Sequence, residues 1–230
     1  QVGRRGVAAL LDRRRDPRGS AGACSPTLYL DAACKKGAML FEALLERLPD
    51  RSLILVEDDI GFVKTIFAER LASKAASAGW QVRYITAGYK EDVQAEMRMQ
   101  GLEAAERIEF SDRFRDRKTL AANCTGDLCI VDAITTLLSD AGATEVAGLV
   151  DSLLDASRQG RIILMLADRG VLQAGTERYL HVRADGVIQF GGSGEGRFMR
   201  ILKMKGSWAA SEVSLRITEA GTPLLEEKQE

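Results

Sequence analysis

Ser52-Leu53-Ile54-Leu55-Val56-Glu57-Asp58-Asp59-Ile60-Gly61-Phe62-Val63-Lys64-Thr65, continued by Ile66 to Ala78, is the stretch that decides how this chain is read. The apolar run from Ser52 to Val56 predicts a short buried strand, and a tight polar loop follows it. The apolar spacing from Lys64 to Ala78 predicts an amphipathic helix, which Gly79 ends. Strand, loop and helix in that order are how a phosphate-binding loop of the pattern G-x-x-x-x-G-K-S/T is presented. Lys64-Thr65 stands where the pattern ends, yet Asp58 and Val63 occupy its two glycine positions.

In a working loop of this kind, successive backbone N–H groups converge on the phosphates, and glycine allows both the close approach and the left-handed torsions. Val63 is β-branched and resists those torsions. Glu57, Asp58 and Asp59 bring carboxylates to the place a polyphosphate would occupy. At ~5 Å and an effective dielectric of about 20, each like-charge contact costs about 3 kcal/mol. Lys64 and one helix N-terminus, with roughly half a charge, do not offset that. Lys64 is expected to pair with Asp58 or Asp59. Gly61, Lys64 and Thr65 remain as vestiges of a nucleotide loop.

Outward from this stretch, strands and helices alternate. Met39 to Leu48 has helical apolar spacing and is broken by Pro49. Trp80 to Thr86 reads as a strand, and a helix follows through Met99, closed by Gly101. Arg107 to Phe110 reads as a short edge strand and Ser111 to Lys118 as a solvated loop. Asp127 to Asp132 is an apolar strand ending in aspartate, Glu145 to Gln159 an amphipathic helix, and Arg161 to Ala167 a buried strand. This alternation implies right-handed crossovers and a mostly parallel central sheet flanked by helices, an α/β fold. The C-terminal part changes character: Tyr179 to Arg183, Gly186 to Phe190, Arg197 to Lys203 and Ser211 to Ile217 read as short strands. They form an antiparallel hairpin extension, with Gly191 to Gly196 as its turn.

Composition narrows the function classes. The chain of 230 residues, 46% hydrophobic, is long enough for one α/β domain with a large core or for two small domains. No apolar run approaches the roughly 20 residues that span a bilayer, so a soluble, cytoplasmic protein without membrane insertion is expected. The 32 Lys and Arg are balanced by 33 Asp and Glu, leaving no overall electrostatic footprint for nucleic acid. Cys24, Cys34, Cys124 and Cys129 form no CxxC pair and His181 is the single histidine, so no metal site is expected. Residues 1–37 form a basic arm with Arg4, Arg5, Arg13, Arg14, Arg15 and Arg18. It reads either as a contact for nucleic acid or an acidic partner, or as a solvated extension.

Three blocks together resemble the KaiC-like branch of the RecA superfamily, and within it the archaellum accessory ATPases of the FlaH type. They are Leu44 to Thr65; Asp127 to Thr136; and Ala184 to Ile188 with Arg200 to Ser207. The resemblance implies a single RecA-like domain over residues 38–230, with ATP and Mg as the ligands of its kind. It places Asp132 in the metal-facing position of a Walker B strand, though an aspartate there can equally cap the next helix. It implies that Lys203 and Lys205 lie at the tip of a closing strand pair that reaches a neighbouring subunit. Their other reading is as solvent-facing strand residues. His181 reads as structural.

The departures from the family pattern point the same way as the loop. The family carries an acidic residue just after the second core strand to activate water, and Thr86-Ala87-Gly88-Tyr89 stands there instead. The leading expectation is a non-catalytic or weakly nucleotide-binding regulatory or assembly subunit, in a homo- or hetero-oligomer of RecA-like subunits. An ATPase with an unusual loop is the alternative from the enzyme class. A recombinase-like or Elongator-like subunit that binds nucleic acid through the arginine arm is the third and is not favoured.

Overall fold

The computed structural model describes residues 44–45, 48–59, 62–192, 197–206, 211–217 and 223–225. The basic arm, Gly61 and most of the Met39 to Leu48 helix lie outside the described residues. Of that helix, Leu44 and Leu45 are helical and buried, and the Leu48 N–H donates to Leu44 O at 2.7 Å.

The strands are β1 (Ser52–Asp58), β2 (Val82–Thr86), β3 (Ile108–Ser111), β4 (Leu128–Asp132), β5 (Ile162–Asp168), β6 (Gly186–Gly191), β7 (Arg197–Met204), β8 (Ser211–Ile217) and β9 (Pro223–Leu225). The helices are α1 (Val63–Ser77), α2 (Lys90–Met99), α3 (Leu120–Asn123), α4 (Ile134–Leu138), α5 (Ala143–Arg158) and α6 (Ala174–Arg183), with a 3-10 turn over Glu103–Arg107. One sheet joins all nine strands in the order β3-β2-β4-β5-β1-β6-β7-β8-β9. From β3 to β6 every pairing is parallel, and from β6 to β9 every pairing is antiparallel. This is the expected α/β RecA-like architecture with an antiparallel C-terminal extension.

The period of two along each strand sorts the core into two layers. Ile54, Val56, Tyr84, Ile130, Leu164 and Ile188 face α1, α2 and the 3-10 turn. Leu53, Leu55, Ile85, Val131, Met165 and Val187 face α3 to α6. Because both faces are covered, the central strands are apolar on both sides, so they read as continuous hydrophobic runs. On α5, Val146, Leu149, Val150, Leu153 and Leu154 are buried at helical spacing, each worth about 1.5–3 kcal/mol when fully removed from water.

Several expectations are corrected. Tyr179 to Arg183 is the last part of α6 and not a strand, because β6 lies parallel to β1 and a parallel pair needs a crossover between β5 and β6. Strand β1 runs two residues past Val56, so Glu57 and Asp58 are sheet residues. Ser111 extends β3, and the segment after it is not merely a solvated loop. Phe114 packs against the core while its N–H donates to Thr86 O at 2.9 Å, and the Arg113 N–H donates to Gly88 O at 2.7 Å. Strand β9 and the short helices α3 and α4 are too brief to carry a periodic signal.

Gly79 ends α1 as the sequence suggests: with φ +85, its N–H reaches Ala76 O while the Trp80 N–H reaches Ala75 O. Gly126, ahead of β4, is under tighter constraint. Its φ is +81, and a Cβ there would lie 2.5 Å from Gln81 O, the acceptor that also takes the Asp127 and Leu128 N–H groups. Gly126→Ala is expected to cost about 2–3 kcal/mol. Gly148→Ala, on α5 with open space around it, is expected to stabilise by about 0.5–1 kcal/mol. Urea denaturation of the two variants checks the contrast.

Candidate functional site at the carboxyl ends of the strands

Four neighbouring strands end together. Register sets Asp58 of β1 beside Asp168 of β5, and Thr86 of β2 beside Asp132 of β4. The pleat turns Asp58, Asp132 and Asp168 to the α1 side, the same face as Val56, Ile130 and Leu166. Carboxyl ends of parallel strands are where α/β folds place ligand sites.

Lys64, second residue of α1, projects into this row. Its Nζ lies 2.6 Å from Asp168 Oδ1, and the lysine side chain is 7% exposed. The expected partners, Asp58 and Asp59, are replaced by a carboxylate from a neighbouring strand. Asp59 instead pairs with Arg169, whose N–H also donates to Asp58 O at 2.8 Å. Asp58 is buried; its Oδ1 accepts the Asp59 N–H at 2.9 Å, and its Oδ2 has no hydrogen-bond partner among the described residues. Asp58 continues the strand and Val63 opens the helix, with its side chain in the core. Neither takes a positive φ. Thr65 follows Lys64 in the first turn and is half-buried.

Asp132 does not cap α4. The N-cap position belongs to Ala133, without a side-chain hydrogen bond. The Asp132 Oδ2 accepts the Tyr84 hydroxyl at 3.2 Å instead. Burial pushes its carboxyl up to about 6; the Tyr84 hydroxyl and the Lys64 ammonium oppose the shift, while Asp168 and Glu96 add to it. The Asp168 N–H donates to Thr135 Oγ1 at 2.8 Å, which ties the end of β5 to α4.

On the other face of β1, Glu57 is buried and accepts from Gln189 Nε2 at 2.8 Å. It lies 2.8 Å from His181 Nε2. His181 thus has the acid partner that the sequence did not reveal, and it sits on a helix. Lys203 and Lys205 are not brought to the strand ends. Register sets Lys203 level with Leu55 through Val187. Its Nζ caps α6 by donating to Val182 O at 3.0 Å and His181 O at 3.3 Å. Lys205 Nζ is 3.6 Å from Asp185 Oδ1, and Asp185 Oδ2 accepts the Leu53 N–H at 3.1 Å.

Asp168 was legible in principle. Two apolar runs, ending at Val131 and Ala167, each pass directly into aspartate, and the second carries the same signal as the first. Glu69, on the buried face of α1 between Ile66 and Ala72, was a second overlooked signal. Among the described residues no group of three or more His, Cys, Asp or Glu is placed to hold a metal ion. No helix among them is long and apolar enough to cross a membrane.

Stability should report the strand-end charges. The native state holds the Asp132 proton up to about pH 6, whereas the unfolded chain releases it near 3.8. Wild-type stability is therefore greatest below pH 4 with respect to this group and falls as pH rises towards 6. Asp132→Asn removes that component, on the order of 2 kcal/mol, from urea midpoints measured between pH 4 and 7.

No protein-family model matches the chain, and no curated protein matches it. Solved structures do. The flagellar accessory protein FlaH from Methanocaldococcus jannaschii superposes with a TM-score of 0.65 at 18% identity, covering 86% of this chain and 95% of that one. A KaiC-like protein from Pyrococcus horikoshii gives a TM-score of 0.63 at 18% identity, covering 78% and 91% respectively. At this identity the likeness is one of fold, and it is the KaiC-like and FlaH-like fold that the sequence resembles.

Proposed function

We propose that this chain is a RecA-fold regulatory or assembly subunit that does not turn over nucleotide, working within an oligomer of RecA-like subunits. The observation that carries the reading is the pair between the buried Lys64 and Asp168 at 2.6 Å, beside the carboxylate of Asp58. A triphosphate in the usual pose needs that ammonium. Taking it from Asp168 forfeits an attraction of up to about 4 kcal/mol at ~4 Å charge separation and an effective dielectric of about 20. The half-exposed Asp168 would then face the phosphates with Asp58 alongside.

The loop residues fit Mg-ATP poorly for a second reason. Asp58 and Val63 hold the places where glycine would open the main chain, and their torsions are those of strand and helix. The segment after β2 supports the reading as well, since no acidic residue stands in it before Glu91. Gly88 donates its N–H to Thr86 Oγ1 at 3.0 Å, Tyr89 is exposed, and Glu91 and Asp92 stand exposed in the first turn of α2. An accessory role is what the name of the M. jannaschii protein states for that protein; we carry a role of that kind to this chain. The face bearing Lys203, on β7, and Lys205, just past its end, is the one we assign to a neighbouring subunit.

A second reading is favoured by one observation: Lys64 and Thr65 keep their places in the first turn of α1, and Lys64 acts on both Asp168 and Asp132. In it, Gly61, Lys64, Thr65 and Asp132 still hold a nucleotide through an unusual loop.

Isothermal titration with Mg-ATP separates the two. The regulatory reading expects no heat at micromolar nucleotide, no phosphate release, and no nucleotide-dependent rise in Tm. Micromolar binding accompanied by turnover would end it. Micromolar stabilisation that Lys64→Ala abolishes would support the second reading.

A further inference from the structure

The buried Glu69 on α1 takes no part in the strand-end site, and its surroundings do not suit an anion. It is 0% exposed. Its Oε2 accepts Gln100 Nε2, from the residue that ends α2. Its Oε1 has no hydrogen-bond partner, and neither has the buried Oε1 of Gln100. Two buried acceptor oxygens, one on each member of a pair already joined by one hydrogen bond, both lack a donor. A buried polar atom left in that state costs about 1–3 kcal/mol. One proton on Glu69 supplies the missing donor, because a carboxylic acid both donates and accepts.

The neighbours favour the proton. Glu96 comes from α2 and is near enough to share a hydrogen bond with a protonated Glu69, while Asp132 comes from β4 and Tyr84 from β2; all three are acidic groups. The 3-10 turn brings Ala104 and Ala105 to α1 while Glu106 and Arg107 point to solvent. Arg70, the next residue of α1, is the cation nearest in sequence and is itself half-buried. Burial is the largest influence on the Glu69 carboxyl and, against the Gln100 hydrogen bond and with the push of Glu96 and Asp132, carries it up to about 8.

We propose that Glu69 is a neutral carboxylic acid in the native protein at neutral pH, and that its proton is a latch joining α1 to the C-terminal end of α2. Loss of that proton in mildly alkaline solution places a buried anion beside Glu96 and Asp132; the Gln100 Nε2 bond to it persists, but Gln100 Oε1 again lacks a donor and the end of α2 is loosened. Such a latch makes the α2 end, and the turn that follows it, the part of the fold that responds as pH rises past neutrality. An acid whose native proton is held more tightly than in the unfolded chain contributes stability at low pH that is lost as pH rises through its native titration.

The test uses the full-length protein and two readouts. In wild type, carbon-13 NMR of the glutamate carboxyls should show one group, assigned through Glu69→Gln, titrating near pH 8. Amide exchange of residues 98–102, corrected for intrinsic rate, should accelerate more than about tenfold between pH 6 and pH 9. In Glu69→Gln, which keeps the shape and removes the charge, that acceleration should vanish and the thermal midpoint at pH 9 should exceed that of wild type. An ordinary carboxyl titration near pH 4.5 for Glu69 would overturn the proposal. Equal acceleration in the variant would overturn it too. Should the variant fail to fold, the other glutamates can be assigned by triple-resonance NMR, and the wild-type titration then decides alone.

Discussion

A buried ammonium must have an anion, and in this fold the anion for Lys64 comes from the neighbouring strand. That requirement organises the carboxyl edge of the sheet. Helix α1 can start at Val63 and bury its apolar face only if Lys64 is neutralised on the way in, and Asp168 does so at 2.6 Å. The other strand-end acids are then met one at a time. Arg169 takes Asp59, Tyr84 holds Asp132, and His181 with Gln189 encloses Glu57. The edge is acidic, and beside these engaged groups the buried Asp58 Oδ2 has no hydrogen-bond partner among the described residues.

Most of the fold was legible because parallel strands buried on both faces leave an unmistakable mark: Leu53 to Val56, Leu128 to Val131 and Ile162 to Ala167 are apolar at every position. The helices between them were legible from spacing, as in Val146 to Leu154. The exception teaches the limit. Tyr179-Leu180-His181-Val182-Arg183 alternates like a strand, yet only Leu180 is buried. Topology, which requires a crossover between β5 and β6, overrides local alternation there. The site was legible in its elements and not in its pairings. Lys64, Thr65 and Asp132 stand at the strand ends as their positions suggested, but an ion pair between residues 104 apart in sequence leaves no local trace. Nor does a histidine on α6 announce that its acid lies on β1.

The polar groups on the α1 side form two sets within one layer. In the outer set Lys64 is paired with Asp168, and Asp58 lies alongside. The inner set, Glu69 with Gln100, Tyr84 and Asp132, balances burial with hydrogen bonds and protons. Asp132 belongs to both, since Lys64 and Asp168 act on it from one side and Tyr84 and Glu96 from the other. Electrostatic change at the strand ends therefore has a physical route towards α2, through the charges of these groups acting on one another.

The account rests on Lys64 being held by Asp168 and closed to phosphate. The most direct measurement is nitrogen-15 NMR of the Lys64 ammonium during titration with Mg-ATP. The account predicts a resonance slowed in proton exchange by its carboxylate partner, shifted by Asp168→Asn, and unmoved by nucleotide up to millimolar concentration. A shift of that resonance saturating at micromolar Mg-ATP would contradict it.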